Sequence, residues 1–303
     1  MRDTFVQVLT AQAEQNPNIC LLTADLGFGV LKPFWEAHPD RFFNLGIAEQ
    51  NLASMAAGLA LWGKTAVIYS IGNFPTLRCL EQIRNDCAGH NADVKIVCVG
   101  GGFTYGSLGM SHHATEDLAI MGAIPNVTVF SPADRLETEA AVRAMLETRG
   151  TCYLRLGRGG EMPVHETSPD FAVGKAIPVR EGREAAIFFT GPIYEEVTAA
   201  LDILAGHGIT PAVYSFPTVK PVDAALIRKC AKKYRLIVTC EEHSIRGGLG
   251  SSVAEILAEA GGARLLRLGV PEGFCPIAGD QRFLRRKFGL DGASIAEWIR
   301  GNL

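Results

Sequence analysis

The chain has no apolar run of the ~18–20 uncharged residues needed to cross a bilayer, no run of basic residues and no CxxC pair. The first absence excludes a membrane-spanning helix. The second, with a formal net charge of −3, argues against nucleic acid as a main partner. The eight cysteines lie singly at 20, 79, 87, 98, 152, 230, 240 and 275. Several fall inside strand-like apolar runs, as Cys98 and Cys240 do, where a thiol behaves as a small hydrophobe. That usage fits a reducing cytoplasm. The N-terminus, Met1-Arg2-Asp3-Thr4-Phe5, acquires an acid at once and lacks the apolar core of a signal peptide. Met1 running directly into a helical pattern suggests a natural start. Low-complexity segments and short-period repeats are also missing.

What remains is a regular alternation. With 303 residues, 48% of them hydrophobic, the chain is long enough for about two domains. Helical periodicity spans 3–15, and Ile19–Ala24 reads as a buried strand. A strand-like run, Phe42-Phe43-Asn44-Leu45, stops at Gly46 and feeds a small-residue helix from Ile47 to Leu61. Further strands are expected at Thr65–Ser70, Lys95–Gly100, Val127–Phe130 and Cys152–Leu156. A helix over Asp134–Glu147 is capped from Ser131-Pro132-Ala133-Asp134. From Gly157 to about Ile177 the pattern lapses into Gly, Pro, Glu and Ser. A second series follows, with strands at Ala185–Thr190, Ala212–Phe216, Arg235–Glu241 and Arg264–Gly269, and helices near 194–205, 222–231, 250–260 and 292–300. Uniformly apolar strands interleaved with helices predict two consecutive doubly wound α/β domains with mainly parallel sheets. Their expected limits are 1–165 and 181–303, with a linker over 166–180. Ligands in such folds bind beyond the carboxyl ends of the strands, so the loops at 25–29, 71–76 and 100–113 are site candidates.

Four features could carry chemistry. Glu49 lies in the first turn of its helix between apolar residues, where desolvation favours the protonated form and suits a carboxyl that must share a proton rather than form an ordinary ion pair. An acid near a helix N-terminus is also simply favourable. In Tyr69-Ser70-Ile71-Gly72-Asn73-Phe74-Pro75, Phe74 could present a ring face to a flat ligand or belong to the core. His112 and His113 follow the Gly-rich stretch 106–109 and could act in acid–base or hydrogen-bonding roles. With Glu116 and Asp117 they could alternatively supply metal ligands, although nothing fixes a complete set. Arg158 stands among glycines in Arg155-Leu156-Gly157-Arg158-Gly159-Gly160, well placed to clamp a phosphate or carboxylate. In the second half, Gly247-Gly248-Leu249-Gly250 reads as a tight turn or an anion-binding helix start. Glu241-Glu242-His243 could be catalytic or could line an interface.

These motifs, in this order, resemble the pyrimidine-binding and C-terminal domains of transketolase-type thiamine diphosphate enzymes, specifically through about residue 160 and more loosely beyond. Gly46-Ile47-Ala48-Glu49 is similar to the family's G-x-x-E segment. The resemblance implies that Glu49 hydrogen-bonds the cofactor's aminopyrimidine and so prepares deprotonation of the thiazolium carbon. It further implies that Phe74 packs on the pyrimidine, that His112 contacts substrate oxygens with His113 beside it as a second substrate-binding residue, and that Arg158 holds a sugar phosphate. Asp25 would lie near the thiazolium of a cofactor bound across a subunit interface. Residues 82–85 would pack at that interface.

The departures are informative. Ile71 and Leu77 replace aromatics that flank the pyrimidine. Leu108 stands where sugar-phosphate transketolases carry an acid, and Gly100 and Gly29 where they often carry a histidine and a serine. These changes point to retained thiamine chemistry with altered sugar recognition, toward an unusual ketose or a small 2-oxo acid. The family's G-D-G…N segment, which holds the diphosphate through Mg²⁺, has no counterpart in the chain. The expectation is therefore a transferase active only with a separate N-terminal subunit that carries that segment, in a heterotetramer of two large and two small chains. Alternative readings are the β subunit of a 2-oxo acid dehydrogenase, a 1-deoxyxylulose-5-phosphate synthase-like enzyme, or a non-catalytic structural partner.

Overall fold

A computed structural model describes residues 1–303 as two parallel-stranded sheets, each covered by helices on both faces. The strands, in chain order, are β1 (Ile19–Thr23), β2 (Phe42–Asn44), β3 (Thr65–Ile71), β4 (Val94–Val99), β5 (Val127–Phe130), β6 (Thr151–Leu156), β7 (Ile177–Arg180), β8 (Ala185–Thr190), β9 (Ala212–Ser215), β10 (Thr218–Lys220), β11 (Leu236–Ser244) and β12 (Arg264–Val270). The first sheet has the order β10-β5-β6-β4-β3-β1-β2, and the second β12-β11-β8-β9-β7. Each is parallel except for one edge strand: β10 runs antiparallel to β5, and β7 antiparallel to β9. Residues of β1, β4, β6 and β8 are buried throughout, as expected for strands packed on both faces. All eight cysteines are buried and unpaired with one another.

Several elements differ from the sequence reading in ways that matter for the site. The helix after β2 starts at Glu49, not Ile47. Gly46 adopts φ +67 and the Ala48 N–H closes onto the Gly46 carbonyl at 2.8 Å, so the turn consumes two residues. Short β10 belongs to the second half of the chain yet joins the first sheet, with Thr218 opposite Phe130. Lys220 pins that crossing by donating to the carbonyls of Gly122 (2.9 Å) and Ile124 (2.5 Å). An additional helix, Gln281–Lys287, is capped by Asp280, whose carboxylate accepts from the Phe283 N–H at 2.8 Å.

The irregular stretch between the sheets is tied down at both ends. Asp134, the N-cap of helix Arg135–Glu147, accepts from the Glu137 N–H with one oxygen and from Val164 and His165 N–H with the other. Further on, Gly174 N–H donates to Thr218 Oγ1 (3.0 Å) and Ala176 N–H to Asp223 (3.2 Å).

Candidate functional site

Glu49 is 6% exposed, a carboxylate buried at the first residue of its helix. The sequence reading gives it no ionic partner, but the structure does. Arg78 Nη1 lies 2.5 Å from Glu49 Oε1, and the same guanidinium sits 4.0 Å from the centroid of the Phe74 ring. His112 meets that ring edge-on, with centroids 5.3 Å apart. Glu49, Arg78, Phe74 and His112 thus form one cluster at the carboxyl ends of β3 and β4. Two expectations for Glu49 are corrected. It stands in an ion pair with Arg78, and Ile47, expected to open the helix beside it, is instead 77% exposed in the preceding turn. A signal for Arg78 exists in the sequence: it follows Phe74 by four residues in helix Asn73–Arg78, so the two share a helix face.

The two histidines part company. His112 is half-buried, and its pKa is lowered by burial first, then by the Arg78 and His113 charges. It is held neutral and able to donate or accept one hydrogen bond. His113 is buried, with Nε2 3.2 Å from the Gly106 carbonyl and its ring edge against Phe103. Its backbone carbonyl accepts from Asn73 Nδ2 at 2.5 Å, which fastens the histidine loop to the start of the Phe74 helix. His113, expected beside the substrate, packs inside the loop at 4% exposure, and its buried Nδ1 has no hydrogen-bond partner. Asp117 does not join the histidines either, since its Oδ2 accepts from Tyr153 Oη (2.7 Å) and pairs with Arg155 Nε (3.0 Å). No three His, Cys, Asp or Glu side chains converge in a way that could hold a metal ion.

The remaining candidates flank the cluster or lie apart from it. Ile71 ends β3 half-buried, and Leu77 is 53% exposed on the Phe74 helix. Asp25 has φ 56, a left-handed conformation held by Asn44, whose side-chain oxygen accepts from the N–H of both Asp25 (2.9 Å) and Gly46 (3.2 Å). One amide thereby ties the Asp25 loop to the turn that presents Glu49. Beside it lies an apolar recess of about 440 Å³, lined by Leu26, Phe28, Leu31, Trp35 and Phe42 among others. Arg158 is exposed and opens onto a separate polar cavity of about 240 Å³, shared with Thr104, Glu161, Tyr194, Gln281 and Arg285. None of Glu49, Phe74 and His112 lines that cavity.

In the second half, the Gly-rich turn at 247–250 needs no external anion. The Glu241 carboxylate accepts from both Leu249 N–H and Gly250 N–H at 2.8 Å, so the helix Leu249–Ala260 is capped from within. Burial pushes the Glu241 pKa up to about 7. His243 is buried against it, and desolvation lowers its pKa to about 4.

A carboxylate at a helix start, an aromatic ring and a histidine gather at the carboxyl ends of a parallel sheet, the region where ligands bind in the α/β class of folds. The family is given by sequence. Residues 1–160 match the transketolase pyrimidine binding domain and residues 174–295 the transketolase C-terminal domain. The chain belongs to the transketolase family. It is 38% identical to a putative transketolase C-terminal section from Methanocaldococcus jannaschii, over 99% of this chain and 95% of that one. It is 36% identical to one subunit of an apulose-4-phosphate transketolase from Actinobacillus succinogenes, over 88% of this chain and 86% of that one. Among solved structures, a split gene transketolase described as an inactive beta4 tetramer superimposes with TM-score 0.89, at 34% identity over 99% of this chain and 96% of that one.

Proposed function

We propose that this chain is the pyrimidine-binding subunit of a thiamine-diphosphate-dependent, transketolase-like transferase, working with a second chain that supplies the diphosphate and Mg²⁺ site. The observation that carries the reading is buried Glu49 at its helix start, grouped with Phe74 and His112. The residues fit the aminopyrimidine half of the cofactor. A carboxylate with little water around it can accept a hydrogen bond from a ring nitrogen, and an aromatic face lies next to it. They do not offer a cage for a divalent cation, which is why a partner is part of the proposal. When bound, the cofactor supplies the carbanion chemistry.

The chain's own contributions follow from position. Glu49 Oε1 is paired with Arg78 Nη1, so a ligand ring that bonds to that oxygen has to displace or share the guanidinium. Phe74 orients the ring it faces. His112, kept neutral, binds a substrate oxygen. Asp25, fixed by Asn44, would lie toward the thiazolium of a neighbouring active site, with Ile71 and Leu77 at the rim of the pyrimidine pocket. Arg158, in its own cavity, would hold a substrate anion. The exposed apolar side chains Phe28, Ile47, Trp62 and Leu77 supply surface for a partner chain. The reaction proposed is ketol transfer between sugars, with Leu108 in place of an acid favouring donors other than the common sugar phosphates.

Co-expression with a candidate diphosphate-binding chain, then calorimetric titration of thiamine diphosphate and Mg²⁺, tests the reading. Tight binding to the pair but not to this chain alone is expected; binding to neither would refute it. In the pair, Glu49→Gln should lower kcat by about 10²–10⁴-fold with assembly intact, the usual weight of a proton-transfer group. High turnover of fructose 6-phosphate or xylulose 5-phosphate would sink the altered-donor part alone.

A further inference from the structure

The histidine loop, residues 100–116, is built against the second sheet as much as against the first. Its two arms are closed on each other by Gly102 N–H to the Ala114 carbonyl (2.8 Å) and Ala114 N–H to the Gly102 carbonyl (3.0 Å). From β6, fully buried Arg155 donates Nη2 to the Ala114 carbonyl (2.8 Å) and to the Glu242 carbonyl (2.9 Å), so one guanidinium bridges the loop and β11. From β11, Glu242 Oε1 accepts the Phe103 N–H at 2.6 Å and Ser244 N–H donates to the Thr115 carbonyl at 2.7 Å. Gly279 N–H reaches the Gly106 carbonyl at 3.2 Å, the same oxygen that His113 Nε2 contacts.

Glu242 is the centre of this arrangement. It is 3% exposed, and its other oxygen is paired with Arg285 Nε, with Gln281 Nε2 bonding to both oxygens (2.8 and 3.1 Å). The fit is close: a Cβ on Gly102 would stand 2.7 Å from both Glu242 Cγ and the Glu242 carbonyl. Phe103 carries the contact onward, stacked on Phe288 at 5.3 Å on one side and meeting the His113 ring on the other. A buried ionic group of this kind gains little stability over an apolar replacement, and its best-attested use is to specify one arrangement.

We propose that Glu242, held by Arg285 and Gln281, is a positioning residue for His112: the C-terminal domain sets the histidine loop against the Phe74 cluster. This rests on the reading that His112 binds substrate. The loop touches the Phe74 helix through Asn73 and the His112 ring, but no hydrogen bond of the network reaches Glu49 or Phe74 themselves, so its larger effect falls on substrate handling.

The test uses the chain assembled with its partner. Glu242→Gln keeps the shape and an acceptor for Phe103 but removes the charge that fixes Arg285; Glu242→Asp keeps the charge and withdraws the carboxylate, and serves if the first variant folds poorly. Either should lower kcat/KM by about 10–100-fold, the scale of a small misplacement, while the thiamine diphosphate Kd from calorimetry stays within about twofold. The His112 ring resonances of isotopically labelled protein should shift in both variants. In a His112→Ala background, Glu242→Gln should cause no further loss. If His112→Ala impairs turnover but the Glu242 variants leave kcat/KM and the His112 resonances unchanged, the positioning role is wrong. Losses that multiply in the double variant overturn it equally, since Glu242 would then act elsewhere. A His112→Ala enzyme with normal kinetics would remove the substrate-binding reading itself, and the positioning role with it.

Discussion

Glu241 and His243 lie two residues apart at the end of β11 and should oppose each other as pH falls. His243 Nδ1 is 2.8 Å from the Ser244 carbonyl and Nε2 accepts from the Ala119 N–H at 3.3 Å, partners that assign the proton to Nδ1. Protonating Nε2 would set two donors against each other in a buried site. With its folded pKa lowered to about 4, the imidazole binds fewer protons than in the unfolded chain between about pH 6.5 and 4. Its stabilisation is present above that window and is lost as pH falls. Moving from about pH 7.5 to about pH 5 costs about 2 kcal/mol. Glu241 has the opposite sign. Its folded pKa is raised to about 7, so the folded state binds the extra proton between about pH 4.3 and 7, and stability falls as pH rises through that range. The same acidification returns about 2 kcal/mol. The wild-type chain therefore shows nearly no net response from the pair.

Substitution separates the two. His243→Gln retains a donor for Ser244 and an acceptor for Ala119 but does not titrate, so acidification should stabilise it relative to wild type by about 2 kcal/mol. Glu241→Gln should be destabilised by a similar amount over the same interval. Urea unfolding followed by circular dichroism at the two pH values reads both. The other charges facing the pair, Asp117 and Arg155 for the imidazole and Arg155 and Arg267 for the carboxylate, are retained in all three proteins. Parallel pH responses in the three would refute the reasoning.

Three further outcomes are expected. Arg78→Met removes a half-exposed partner from Glu49 and uncovers the Phe74 ring; such a pair is worth about 0.5–1 kcal/mol, so thiamine diphosphate should bind the assembled enzyme about two- to fivefold more tightly by calorimetry. Weaker binding would mean that Arg78 serves the ligand instead. Gly102→Ala places a methyl against Glu242 at a φ of +63 and should lower stability by about 2 kcal/mol or more, read as the melting temperature. Asp134→Ala removes a helix cap and two tethers of the inter-sheet segment; about 1–2 kcal/mol should be lost, and limited proteolysis should cut near Val164 sooner than in wild type.

Legibility follows the range of the interactions. Helix Arg135–Glu147 is readable because its cap, Asp134, and its apolar face lie within a dozen residues. The parallel strands are readable because burial on both faces leaves an uninterrupted apolar run. β10 is not: three residues between Pro217 and Pro221 have no pattern of their own and become a strand only by pairing with β5, far back in the chain. The sequence marks Glu49 as a buried acid, and it is one, but its ionic partner Arg78 comes from a different helix.

The two arginines at the end of β6 show the same limit in sharper form. Arg158 draws attention because glycines surround it, and it is the one that stays exposed. Arg155, inside an apolar strand, is the larger structural commitment. Its guanidinium is fully desolvated, and every partner it has lies more than thirty residues away: the Ala114 carbonyl, the Asp117 carboxylate and the Glu242 carbonyl. Removing such a group leaves Asp117 buried without its cation, a loss of about 3–5 kcal/mol by the usual measure of broken buried pairs. A strand carrying an arginine whose partners come from both domains is a strand whose neighbours are specified jointly. That joint specification is why the histidine loop, although coded entirely in the first half of the chain, is held in shape by both halves.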